Sequence, residues 1–199
     1  YQKIDHEKQF VLVGQPCDLM VRMDGKRKPE FSFVTLLPIR GDDPNKTKPE
    51  STTRRTVFEL PAFKGGNPAW VEMDRPCLVP VESVDYCALN DKGIGLAPFP
   101  GNPPDWILPS WEERWKLLVE TAETLRNTMN GKNSKNERVD LLKAQFGVRP
   151  DCKAKPSVKG DKFDLGLKRT GRVLSPYARA LLTSYSAHVA RDAFEPAIA

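Results

Sequence analysis

At 199 residues, with 31 Lys plus Arg against 26 Asp plus Glu and 39% hydrophobic residues, the chain is long enough to bury roughly two-thirds of its unfolded surface in a core. Four cysteines, none of them in a CxxC pair, exclude a disulfide-dense secreted scaffold and predict a reducing, cytoplasmic setting. No apolar run approaches the length of a membrane-spanning helix, and the formal charge of +5 favours acidic partners over a membrane.

Proline usage divides the chain, since 14 of its 18 prolines lie at or before Pro109 and exclude long helices from the first half. Between them, short runs rich in β-branched and aromatic residues predict strands at Phe10 to Val13, Leu19 to Met23, Phe31 to Ile39, Thr56 to Leu60, Ala69 to Met73 and Cys77 to Val81. Asp24-Gly25 supplies the positive φ that a tight hairpin needs. Residues 41–55 are polar, charged and almost free of apolar side chains, which predicts a long, mobile inter-strand loop. The stretch from Leu96 to Pro109 carries five prolines and reads as an extended connector.

Beyond the connector the hydrophobic period changes. Trp111, Trp115, Leu118, Val119, Ala122, Leu125 and Met129 recur at intervals of three and four, the face of an amphipathic helix, with Ser110 and Glu113 as a capping box. Ser134 and Glu137 repeat the box ahead of a shorter helix bearing Val139, Leu142 and Phe146. Ser175 and Pro176 then open a third helix that is expected to bury Tyr177, Ala180, Leu181, Ser184, Tyr185, His188 and Val189. These elements predict an α+β fold: a small SH3-like β-barrel or sandwich body over 1–105, followed by about three helices in a C-terminal region, 106–199, packed on it.

Chemistry-bearing residues are sparse. Cys17 and Asp18 follow the strand Phe10 to Val13 and offer a nucleophile beside a carboxylate, although an adjacent carboxylate opposes thiolate formation. The closest cysteines, Cys77 and Cys87, have nine residues between them, a poor spacing for structural zinc, so no metal site and no cofactor is expected. His188 on the last helix has no second imidazole near it in sequence, which fits a packed residue better than an acid or base.

The strongest charge signal lies between Val148 and Arg172, where Lys153, Lys155, Lys159, Lys162, Lys168, Arg169 and Arg172 outnumber the acids. Such a segment can neutralise phosphates, and Phe163 would add a stacking surface; a solvated linker is the plainer alternative. Arg27 and Lys28 on the first hairpin would extend a basic surface if they face the same way as the segment. Trp70, Trp106, Trp111 and Trp115 gather around the connector, as a core between elements or as an anchor patch for a protein partner.

Three segments carry a resemblance: Val11-Leu12-Val13-Gly14-Gln15-Pro16-Cys17-Asp18-Leu19, then Val84-Asp85-Tyr86-Cys87-Ala88-Leu89-Asn90-Asp91-Lys92-Gly93, and the terminal Tyr177 to Phe194. Together they resemble a group of uncharacterised bacterial proteins with a Gln-x-Cys-Asp-Leu strand-turn motif, and the first is similar to small SH3-like barrels, including PemK-type endoribonucleases. The resemblance implies a structural role for Cys17 and Asp18 and an accessory subunit of a bacterial signalling or phage-defence assembly. The expectation is a non-enzymatic module that docks a protein partner, DNA or RNA. The alternative is a nuclease or hydrolase centred on Cys17 and Asp18.

Overall fold

The computed structural model describes residues 8–14, 19–28, 32–47, 56–63, 66–98, 102–105, 107–132, 134–146, 156–160 and 162–194. The fold is α+β and forms two compact units, each assembled from separated stretches of chain. One comprises Tyr1–Gly14, Thr35–Cys77 and Arg172–Ala199; the other comprises Gln15–Val34 and Leu78–Gly171.

The first unit is built on an antiparallel sheet. Strand β1 (Gln9–Val13) lies beside β2 (Phe33–Arg40), with Val11 opposite Leu37 and Val13 opposite Thr35. Strand β4 (Ala69–Glu72) meets the far end of β2 and pairs along its length with β3 (Val57–Leu60), placing Phe58 opposite Val71 and Leu60 opposite Ala69. Strand β5 (Cys77–Pro80) also pairs with β2, and the division between the units falls within both strands, after Val34 and after Cys77. Side chains alternate faces along a strand, so Val11, Val13, Leu37, Leu60 and Val71 converge on one core. Helix α5 (Tyr177–Phe194) closes it with Leu181, which is 2% exposed.

The second unit pairs a smaller sheet with three helices. Helix α2 (Val81–Ala88) is followed by β6 (Ile94–Ala97), α3 (Pro109–Asn130), α4 (Lys135–Phe146), and a hairpin of β7 (Ser157–Lys159) and β8 (Lys162–Lys168). The sheet order is β6-β8-β7, antiparallel throughout. Tyr86 from α2, Leu118 from α3, Leu142 and Phe146 from α4, and Phe163 and Leu165 from β8 form the core. Each such fully buried side chain stabilises the unit by about 1.5–3 kcal/mol. The Tyr86 ring meets Phe146 edge to face, with centroids 5.6 Å apart, and its hydroxyl donates to the Leu118 carbonyl at 2.6 Å.

Several expectations are corrected. Among the described residues neither sheet closes into a barrel, because β2 carries three partners and the sheet branches instead of curling into a ring. Leu19 to Met23 is not a strand. A local turn takes its place, with the Gly25 amide on the Arg22 carbonyl, the Arg22 amide on the Lys26 carbonyl, and the Asp24 carboxylate accepting from the Lys26 amide. Pro44–Thr47 forms one helical turn, α1, within the polar loop, while 48–55 lie outside the described residues. The three expected helices appear as α3, α4 and α5, although on α5 Leu181 is buried while Tyr177, Ala180 and Val189 are exposed, and the Ser134–Glu137 box is formed in both directions, at 3.1 and 3.3 Å. The Ser110–Glu113 box is not formed: Pro109, preset for helical φ, starts α3 one residue earlier and leaves Ser110 buried inside the first turn.

Candidate nucleic-acid interface

The basic segment does not run as a solvated linker through its described part. Lys162-Phe163-Asp164-Leu165-Gly166-Leu167-Lys168 alternates polar and apolar residues, and as β8 it turns Phe163 and Leu165 into the core, 1% and 0% exposed. Gly160, which follows β7, takes φ +57°, the left-handed conformation that suits a glycine at a tight turn. The register sets Lys159 directly opposite Lys162, both exposed. Like charges facing across a ladder repel, so this hairpin tip bears a cost that a bound anion would offset. Farther along, Lys168 and Arg169 are exposed, and the Arg169 amide bonds the Gly93 carbonyl at 2.7 Å.

Beside the hairpin tip is a small cleft of about 90 Å³. Its floor is apolar, made by Met129, Val158 and Phe163; its rim carries Arg126 and Asn130 from the end of α3, Arg138 from α4, and Gly160. Arg138 donates through Nε and Nη2 to the carbonyl of Lys132, two residues beyond the end of α3, at 3.2 and 3.1 Å. Arg126 is half-buried, and among the described residues no carboxylate pairs with it.

The other sequence-predicted residues are dispersed. Lys153, Lys155, Cys17 and Asp18 lie outside the described residues. Arg172 is exposed and belongs to the first unit, whereas Lys159, Lys162, Lys168 and Arg169 belong to the second. Lys28 is exposed. Arg27 turns inward: its guanidinium grips the Asp85 carboxylate at 2.5 and 3.3 Å, donates to the Leu19 carbonyl, and lies 5.4 Å from the centre of the Trp111 ring. That guanidinium is spent on an interior anion and a ring face, and is not presented to a phosphate.

Arg114, which the sequence reading passed over, completes this interior network, with Nε 2.9 Å from Asp85 and Nη2 3.7 Å from Glu82. Arg126 and Arg138 were also passed over. They sit on the polar faces of their helices, where basic residues are ordinarily solvated, and only the tertiary approach of the hairpin gives them significance.

Among the described residues, no group of three or more His, Cys, Asp or Glu side chains comes together as a metal site. Burial pushes the Cys87 thiol up to about 12, the wrong direction for a nucleophile, and the thiol of Cys77 is buried against the Leu36 carbonyl at 3.5 Å. His188 Nδ1 lies 3.4 Å from Arg191 on α5. Asn90 is a turn former: its side-chain oxygen accepts from the amides of Lys92 and Ile94. No helix among the described residues is long and apolar enough to cross a membrane. Comparison with protein-family models, curated proteins and solved structures finds no match.

Proposed function

We propose that the chain is a non-enzymatic binding module that holds nucleic acid through the phosphates, using the β7–β8 hairpin as its contact. The observation that carries this reading is the Lys159–Lys162 pair, two exposed ammonium groups fixed opposite each other at a turn with open space around it. Lys168 and Arg169 continue the basic character at the other end of β8. Contacts of this kind are electrostatic and independent of sequence, which suits an accessory subunit of a bacterial signalling or phage-defence assembly whose specificity comes from its protein partner. Within this reading the branched sheet of the first unit is the relative of an SH3-like barrel, opened along one strand, and the module works in the cytoplasm.

Fluorescence anisotropy with short single- and double-stranded DNA and RNA at two salt concentrations tests the proposal. Binding should weaken steeply with salt, and the double variant K159E/K162E should lower affinity at least tenfold and flatten the salt dependence. Binding that ignores both salt and the double variant would overturn it. Shortened probes recovered after incubation would instead favour the nuclease or hydrolase alternative centred on Cys17 and Asp18.

A further inference from the structure

Resting on that reading, we infer that the cleft beside the hairpin is a site for one terminal phosphomonoester, the phosphorylated end of a nucleic acid strand. Volume argues first. About 90 Å³ equals the share of about three waters, enough for one tetrahedral oxyanion and far below the roughly 300 Å³ at which pockets begin to enclose a whole small ligand.

Charge argues next. A backbone phosphodiester carries about one negative charge and is served by the exposed lysines, whereas a terminal phosphate carries about −1.5 to −2 and offers three acceptor oxygens. The rim answers with the planar fork of Arg126, the part of the Arg138 guanidinium not engaged by the Lys132 carbonyl, and the Asn130 amide. Arg126 is the distinctive member, because a half-buried guanidinium at a cleft normally has a carboxylate beside it and this one has none among the described residues.

The last turn of α3 presents carbonyl oxygens here, so the helix end repels an anion and supplies none of the attraction. Holding the phosphate therefore falls to the guanidiniums. Gly160 contributes by what it lacks: nothing lies within 4 Å of the place where its Cβ would be, so the strand end can approach between Lys159 and Lys162.

The test compares oligonucleotides of one sequence bearing a 5′-phosphate, a 3′-phosphate or hydroxyls at both ends, by anisotropy on the full chain, with inorganic phosphate as a competitor. One phosphorylated end should bind about tenfold tighter than the hydroxyl probe, and which end does so assigns the polarity of the strand. R126A should erase that advantage, R126K should retain only part of it, and K159E/K162E should weaken all probes together. Competition by inorganic phosphate should reduce the phosphorylated probe to the hydroxyl probe's affinity. Equal affinity for all three probes, with salt-sensitive binding intact, would sink the inference and leave the binding module standing; absence of binding by every probe would sink both. An end preference undiminished in folded R126A also overturns it, by moving the site elsewhere.

Discussion

Arg27 and Arg114 divide one carboxylate between them: Arg27 holds both oxygens of Asp85, and Arg114 Nε reaches Oδ2 at 2.9 Å. All three side chains are at least nine-tenths buried. Burying charge is costly unless every member is paired, so the two guanidiniums depend on the Asp85 carboxylate between them. Asp85→Ala strands two buried guanidiniums and should destabilise by about 3–5 kcal/mol. Arg27→Met leaves Asp85 with Arg114 and keeps an apolar stem against Trp111, and should cost clearly less. Urea midpoints of the two variants check the order; an Arg27→Met penalty equal to or above that of Asp85→Ala would contradict it.

Gly25 and Gly160 both adopt positive φ, yet their surroundings differ. A Cβ on Gly25 would fall 2.6 Å from the Arg114 amide nitrogen and from the Glu113 carbonyl carbon, because the turn is seated on the backbone of α3. Gly25→Ala must therefore push a helix away as well as strain φ, and should cost more than 2 kcal/mol on the order-of-magnitude scale of such overpacking. Gly160→Ala meets only the left-handed penalty of about 1–2 kcal/mol. Thermal melts of the pair measure the difference.

Alkaline pH should unfold the second unit through Cys87. Its thiol ionises at about 12 in the folded chain because burial disfavours the thiolate, against an ordinary value of 9.0. The folded state thus binds the proton more tightly. That stabilisation is complete below pH 9, declines as pH rises above it, and is gone past about 12. Burial raises the Tyr86 hydroxyl as well, so Cys87→Ala should reduce the alkaline loss without abolishing it. Urea midpoints at pH 8 and pH 10 for both proteins decide this, and a midpoint that rises between those values would refute it. In the folded chain Cys87 should also resist alkylation.

Replacing the repelling pair at the hairpin tip should separate stability from binding. Lys159→Thr with Lys162→Thr removes a like-charge clash and adds a cross-strand pair of β-branched residues, a gain of about 0.2–1 kcal/mol. The same variant loses two phosphate contacts, and the slope of log affinity against log salt should fall by roughly two. A double variant that is both less stable and unaltered in its salt slope would count against both the repulsion and the contact.

Much of the fold was legible where a local pattern decided it. The period of Trp111 to Met129 marked α3, and Ser134 with Glu137 marked the start of α4. Five of the six β-branched runs between prolines are strands, β1 to β5, whereas β6, β7 and β8 gave no such signal. The turn at Asp24-Gly25 was legible as well, but its flanks were not, since the seat of Gly25 on α3 is a tertiary fact. Helix α2 was missed because Val81 and Val84 continue the β-branched look of the strand before Pro80. The alternation from Lys162 to Lys168 was not read as a strand because its charges suggested a solvated segment with Phe163 as an exposed stacking surface, whereas Phe163 and Leu165 are core residues. The cleft was illegible for a simpler reason. Arg126, Arg138 and Gly160 come from three elements, and no spacing in the chain announces their meeting.

The interleaving of the two units sets an order of assembly. Everything in the second unit is present once the chain has reached Gly171, whereas the first unit waits for Arg172–Ala199 to bring Leu181 against Val11, Leu37 and Val71. During synthesis β1 and β2 therefore precede most of the second unit yet are completed after it, holding an unfinished apolar face while that unit matures. Pulse-labelled hydrogen exchange should show Leu118 and Phe163 protected before Val11 and Leu37.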